Sequence, residues 1–149
     1  MEIAILALGC FWGPEGKFSK LDGVIKTEVG YCGGNKPNTN YKEVCTGETN
    51  HAEVIKIEFD SDKISYEKIL KFFFEIHDPT TLNSQGPDFG SQYRSEIFYI
   101  DEMQKKVAEK IRNNLQEKFN SKIVTNISKE KNYCKAEEYH QKYLEKKNT

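Results

Sequence analysis

Cysteine and net charge are scarce in this sequence, and a long apolar run is missing. Its four cysteines (Cys10, Cys32, Cys45 and Cys134) include no C-x-x-C pair, and their spacings match no zinc-site pattern. The 22 basic and 23 acidic side chains leave a formal charge of -1, which gives no steering toward nucleic acid or an anionic membrane. The lysines from Lys142 to Lys147 have acidic neighbours and read as a solvated helix face. The apolar stretch Ile3-Ala4-Ile5-Leu6-Ala7-Leu8 follows no basic start and is too short to span a bilayer, so neither a secretory signal nor a membrane helix is expected. A cytoplasmic protein with reduced thiols is the expectation, although an even cysteine count alone would fit two structural disulfides. No linker, low-complexity segment or internal repeat divides the 149 residues, so one catalytic domain is expected over 1–149. A chain of that size can bury roughly two thirds of its unfolded surface, enough for a core without disulfides or metal.

Residues 3–8 read as a buried strand. Gly9-Cys10-Phe11-Trp12-Gly13 then turns into a helix, with Pro14 and Glu15 suited to its first turn and Leu21-Asp22-Gly23 at its end. Strands are expected over Val24–Tyr31 and Ala52–Phe59, with a long loop between Cys32 and His51. Ser65 can cap a helix to His77 that buries Ile69, Leu70, Phe73 and Ile76. After a second loop, 78–91, residues 94–100 form a strand. Asp101 and Gln104 suit a capping box for a helix with Met103, Val107, Ile111 and Leu115 inward. A short strand over Ile123–Ile127 and a last helix over Ala136–Lys146 complete the pattern. Strand, helix, strand, strand, helix, strand is the ferredoxin-like βαββαβ plait, an α/β (α+β) two-layer sandwich, here with C-terminal helical and coil additions. That fold hosts many functions and selects none.

Cys10 leaves a strand where a helix begins, and free amide N–H groups there favour a thiolate over a thiol of ordinary pKa. Phe11 and Trp12, the sequence's one tryptophan, are either core or an apolar wall for a small alkyl group. Glu53 lies between Ala52 and Val54. Among apolar groups its carboxyl would hold a proton near neutral pH, whereas on an open strand it would simply face solvent. Tyr41 and Tyr93 are packing residues or donors to a polar oxygen, and Asp88 alone would read as a turn former.

Taken together these stretches carry a resemblance. They are Gly9-Cys10-Phe11-Trp12-Gly13 with Glu15, Gly30-Tyr31-x-Gly33-Gly34, and Tyr41-x-x-Val44-Cys45-x-Gly47-x-Thr49-x-His51-Ala52-Glu53. His77-Asp78-Pro79-Thr80 follows, then Gln85-Gly86-x-Asp88-x-Gly90-x-Gln92-Tyr93-Arg94-Ser95, and Ala136-Glu137-x-Tyr139-His140-Gln141-x-Tyr143-Leu144. In this order, over nearly the whole chain, they resemble the peptide methionine sulfoxide reductase A family. The resemblance implies an α/β plait that reduces methionine S-sulfoxide, free or in proteins, and so repairs oxidised proteins. Cys10 would attack the sulfoxide sulfur and become a sulfenic acid. Glu53 would protonate the departing oxygen, Tyr41 and Tyr93 would hold that oxygen, Phe11 and Trp12 would enclose the S-methyl group, and Asp88 would meet the methionine main-chain nitrogen. No bound cofactor or metal is implied. The electrons would come from an external reductant such as thioredoxin, glutaredoxin or another thiol, and a monomer is expected.

The family's tail cysteines, often within Gly-Tyr-Cys-Gly, have no counterpart in Lys146-Lys147-Asn148-Thr149. Cys134 stands just before Ala136-Glu137 and is the leading candidate to resolve the sulfenic acid. Cys32 and direct attack by an external thiol are the alternatives, and Cys45 is expected to be buried and structural. His140 reads as a packed or hydrogen-bonded histidine rather than a catalytic base for Cys10, and His51 and His77 read the same way. Two other functions fit a reactive Cys10: a peroxide-reducing thiol protein, and a non-catalytic redox-sensing or ligand-binding plait.

Overall fold

The structure, a computed structural model, describes residues 2–143. In chain order it contains β1 (Glu2–Leu8), α1 (Trp12–Ser19), β2 (Val24–Cys32), α2 (Tyr41–Cys45), β3 (Ala52–Phe59) and α3 (Tyr66–Glu75). A small hairpin of β4 (Ser84–Gln85) and β5 (Asp88–Phe89) follows, then β6 (Ser95–Tyr99), α4 (Glu102–Leu115), β7 (Asn126–Lys129) and β8 (Cys134–Lys135). The main sheet has the order β7-β6-β1-β3-β2-β8. Its inner strands β6-β1-β3-β2 are antiparallel neighbours, which is the connectivity of the expected plait. β7 adds to β6 in parallel, and β8 adds to β2 antiparallel.

Side chains alternate across the sheet. Leu6, Leu8, Val29, Ile55, Ile57 and Phe59 meet Phe18 of α1, Ile69, Leu70 and Phe73 of α3, and Ala108 and Ile111 of α4 on one face. Ile5, Ala7, Val54 and Phe98 occupy the other face, with Tyr133 packed against them. A one-residue slip would exchange these two sets, and each fully buried Leu, Ile or Phe contributes about 1.5–3 kcal/mol, so the register is firmly set. It places Glu53 on the helix-covered face and Cys32, which pairs with Ala52, on the other.

Several sequence expectations shift. Met103 is exposed, and Gln104 takes the inward place instead, donating to Ile3 O at 2.7 Å while its Oε1 accepts from Ile100 N at 3.0 Å. Asp101 caps α4 by accepting from Gln104 N, but the return bond goes to Ile100, so the capping box is only half made. The late short strand lies at 126–129 rather than 123–127. The expected loops contain α2 and the β4–β5 hairpin.

The expected last helix over Ala136–Lys146 is, as far as it is described, a strap. It makes a single 3-10 turn at Glu138–His140, and Lys142 takes a positive φ of 51°. Tertiary bonds override helix propensity in this stretch. Gln141 Oε1 accepts from Val29 N at 2.9 Å, and its Nε2 donates to Val29 O at 2.9 Å and to Ala136 O at 3.0 Å. Glu15 Oε1 accepts from Lys142 N at 2.6 Å. Leu144 and the remainder of that helix and of the lysine-rich end lie outside the described residues. Among the described residues no helix is long and apolar enough to cross a membrane.

Candidate active site

The end of β1 and the start of α1 build the site's centre. Gly9 turns the chain with φ 97°, and a Cβ there would lie 2.8 Å from Gln85 Cγ, so the turn into Cys10 needs glycine. α1 starts without a side-chain cap. Its first amides are instead used by the site. Phe11 N donates to Glu53 Oε1 at 3.3 Å, and the Trp12 amide favours the charged form of Cys10.

Glu53 is 1% exposed, on β3 opposite Tyr31 of β2, so it does not face solvent. Its second oxygen accepts from Gln92 Nε2 at 3.1 Å. Burial pushes this carboxyl up to about 7, and the negative charge of Asp88 acts in the same direction, against the two hydrogen bonds. A group poised there holds a proton for an appreciable fraction of the time at neutral pH and can donate it.

Cys10 departs from the sequence expectation. Burial outweighs the Trp12 amide and pushes the thiol up to about 11, with Glu53 and Asp88 adding negative charge nearby. The resting residue is therefore a thiol, and its ionisation requires a proton acceptor or a positive centre beside it.

Tyr41 opens α2 behind an Asn40 cap, and Tyr93 ends a 3-10 turn at Ser91–Tyr93. The two phenols are within hydrogen-bonding reach of each other, and Tyr41 also reaches the Cys45 thiol. Burial raises both, Tyr93 to about 12, so both remain neutral O–H donors. Phe11 is 1% exposed, its ring centroid 5.9 Å from that of Tyr31 and 5.2 Å from that of His140. Trp12 is half-buried, stacked on Tyr143 at 3.9 Å, and its Nε1 donates to His140 Nδ1 at 3.1 Å. Asp88 lies half-buried on the hairpin, where its charge is felt by both Cys10 and Glu53.

Cys134 pairs with Tyr31, which pairs with Glu53 on its other side. Cross-strand partners project to one face, so Cys134 is on the site's side of the sheet. Cys32 is not. It is fully buried on the opposite face, donates to Lys131 O at 3.5 Å, and has a thiol pushed up to about 12 by burial. Cys45 corrects another expectation, because it is exposed at the end of α2 while Val44 takes the buried position. Gln92 Nε2 also reaches Cys45 Sγ, at 3.5 Å.

Sequence reasoning assigns no role to Gln92 or Glu137, and reads His140 only as a packed or hydrogen-bonded histidine. Glu137 Oε1 accepts from Tyr31 Oη at 2.8 Å and its Oε2 from Tyr41 N at 2.9 Å, tying the strap to β2 and α2. His51 and His77 have both ring nitrogens engaged, His51 with Gly34 N and Lys36 O, His77 with Phe73 O and Ser95 Oγ. Among the described residues no cluster of three or more His, Cys, Asp or Glu could hold a metal ion.

A sequence profile described as peptide methionine sulfoxide reductase matches residues 2–149. A peptide methionine sulfoxide reductase MsrA from Pelagibacter ubique is 69% identical over 147 residues, covering 99% of this chain and 100% of the relative. Mxr1 from Saccharomyces cerevisiae in reduced form superposes with a TM-score of 0.94 at 42% identity, covering 99% of this chain and 86% of that one. The same yeast protein in complex with Trx2 gives a TM-score of 0.69 at 29% identity, covering 95% of this chain and 84% of that one.

Proposed function

The chain belongs to the peptide methionine sulfoxide reductase A family and reduces methionine S-sulfoxide with thiol electrons, and from that premise we propose that Cys10 and Glu53 carry the chemical step. The observation that carries this assignment is the buried Glu53 carboxyl, bonded to the amide next to Cys10 and held near a pKa of 7. The phenols of Tyr41 and Tyr93 donate to the sulfoxide oxygen and draw charge from its sulfur. Cys10 then forms a bond to that sulfur. The oxygen takes a proton from Glu53 and leaves the methionine sulfur as hydroxide, which attacks Cys10 Sγ and breaks the new S–S bond, so that methionine departs. The proton released by the Cys10 thiol restores Glu53. Methionine is reduced by two electrons, and the cysteine is oxidised to a sulfenic acid. Trp12, with Phe11 behind it, encloses the S-methyl group, and Asp88 meets the main-chain nitrogen of free or protein-bound substrate.

In the return step, Cys134 attacks the Cys10 sulfenic acid, forming a disulfide and releasing water. A thioredoxin-like dithiol then restores both thiols. The yeast relative's complex with Trx2 supports that class of reductant. We propose this reaction sequence for one chain without a bound cofactor. A peroxide-reducing thiol would have no need of the Trp12 wall or the buried acid.

The test is one turnover without reductant, using the two epimers separately. Cys10→Ser is expected to lose reduction of the S epimer while keeping its fold. Release of methionine above about a hundredth of the wild-type amount would move the nucleophile elsewhere, because a serine hydroxyl is scarcely ionised at neutral pH.

A further inference from the structure

We propose that His140 is a positioning residue that fixes the Trp12 indole edge-on, so that the wall beside Cys10 admits a methyl group on sulfur and resists a larger alkyl group. This rests on the assignment of Trp12 to the S-methyl pocket. An indole N–H can only donate, so the 3.1 Å bond from Trp12 Nε1 makes His140 Nδ1 the acceptor and puts the ring's proton on Nε2. That Nε2 is buried and has no hydrogen-bond partner among the described residues. The residue itself is 1% exposed, inside a cage of aromatic rings: Tyr139 at 4.1 Å, Tyr41 at 4.7 Å and Phe11 at 5.2 Å between centroids. A ring that served packing alone could be phenylalanine, which leaves no buried N–H unpaired. What histidine adds in this cage is one acceptor, and that acceptor is used by Trp12.

The strap holds the histidine in place from both sides. Glu137 bonds Tyr31 and Tyr41, Gln141 bonds Val29, and Lys142 N bonds Glu15 of α1. Trp12 is consequently gripped along its edge by His140 and across one face by Tyr143. Its rotation about the side-chain bonds is restricted two residues from the reacting sulfur. A freely turning indole would enlarge the pocket and lose contact with methyl.

The experiment compares single-turnover reduction of the S epimers of methionine sulfoxide and ethionine sulfoxide by wild type, His140→Phe, His140→Asn and Trp12→Phe. His140→Phe should lose roughly tenfold of the preference for methyl over ethyl, the size of a one-methylene discrimination, with the loss in KM rather than in the limiting rate. His140→Asn, whose amide oxygen can replace Nδ1 as acceptor, should recover most of it. Trp12 is the sole tryptophan. Its emission should therefore shift in His140→Phe and return in His140→Asn, which a general loosening of the fold would not produce. In the wild type, the single indole N–H resonance should exchange slowly, a reading that requires no variant to fold. Rapid exchange, or unchanged alkyl preference and emission in His140→Phe, would overturn the proposal. If Trp12→Phe also leaves the alkyl preference unchanged, the pocket assignment of Trp12 fails. If only Trp12→Phe changes it, the positioning role of His140 fails alone.

Discussion

Cys134 and Glu53 stand in one row across three strands, on the same face of the sheet, with Tyr31 between them. Two strand spacings put their Cα atoms about 10 Å apart. A disulfide needs Cα atoms within about 7 Å. Cys10 lies beside Glu53, so Cys134 faces the Cys10 side of the sheet, and a disulfide between them requires their Cα atoms to meet that limit. β8 has only two residues, and Cys134 Sγ is held by weak contacts to Thr39 O at 3.7 Å and Lys135 O at 3.6 Å. Detaching β8 would break its two pairs with β2, while on either side Tyr133 is tied to Glu28 and Ala136 N to Val29 O.

Cys134→Ser is expected to give a normal first release of methionine and then stall with thioredoxin as reductant. A burst assay beside steady-state turnover reads both quantities. Undiminished steady-state turnover would assign resolution to another thiol. The exposed Cys45, sharing Gln92 with Glu53, is then the cysteine to map by mass spectrometry.

Glu53→Gln should slow the reductive step by roughly 10²–10⁴-fold with a much smaller change in substrate affinity. The active form of Glu53 carries the proton. Wild-type reduction should therefore decline as pH rises through about 7, and the variant should lack that decline. A wild-type rate in Glu53→Gln at neutral pH would remove Glu53 from the chemistry.

Gln92 stabilises the ionised form of Glu53. Replacing it with leucine removes that donor, so the carboxyl should hold its proton to higher pH. In Gln92→Leu the declining limb of the pH–rate profile should move to more alkaline pH by about one unit, the effect of losing one hydrogen bond to a buried charge. A limb that stays put would mean that Gln92 only packs.

His77 gives a stability prediction. Burial pushes its imidazole down to about 4, against the Phe73 carbonyl and the Asp78 charge. In the unfolded chain it titrates near ~6.5. The folded state thus favours the neutral ring, and the associated stability is complete above about 6.5 and lost as pH falls toward 4, on the order of 2–3 kcal/mol. Urea midpoints measured across that range should fall more steeply for wild type than for His77→Gln. Parallel curves would place the acid sensitivity elsewhere.

The plait was legible because its strands and helices carry clear periods, as in Leu6 and Leu8 of β1 or Ile69, Leu70 and Phe73 of α3. The placement of Cys10, Phe11, Trp12, Tyr41, Glu53, Asp88 and Tyr93 about one centre follows from how that topology brings β1, α2, β3 and the hairpin together. The Trp12–His140 bond joins residues 128 positions apart, so no local pattern could announce it. The final strap is hidden because Ala136-Glu137-Glu138 favours helix locally, while Glu137 and Gln141 are drawn away by Tyr31, Tyr41 and Val29. The resting thiol of Cys10 is hidden for a similar reason: the helix start is a local cue, and the burial that outweighs it is not.

Gln141 applies its side-chain amide to Val29 as a neighbouring strand would apply its backbone, and Gly30 lacks the Cβ that would stand 2.6 Å from Cys134 O. The outer border of β2 is thereby sealed by β8 and the Gln141 side chain. If resolution by Cys134 draws that cover away, β2 would present unpaired amide and carbonyl groups, a template for intermolecular strand addition. Catalysis and colloidal stability are then in tension in the same segment. Protein stored oxidised and concentrated should self-associate faster than reduced protein, and prompt capture by a reductant limits how long that border stays open.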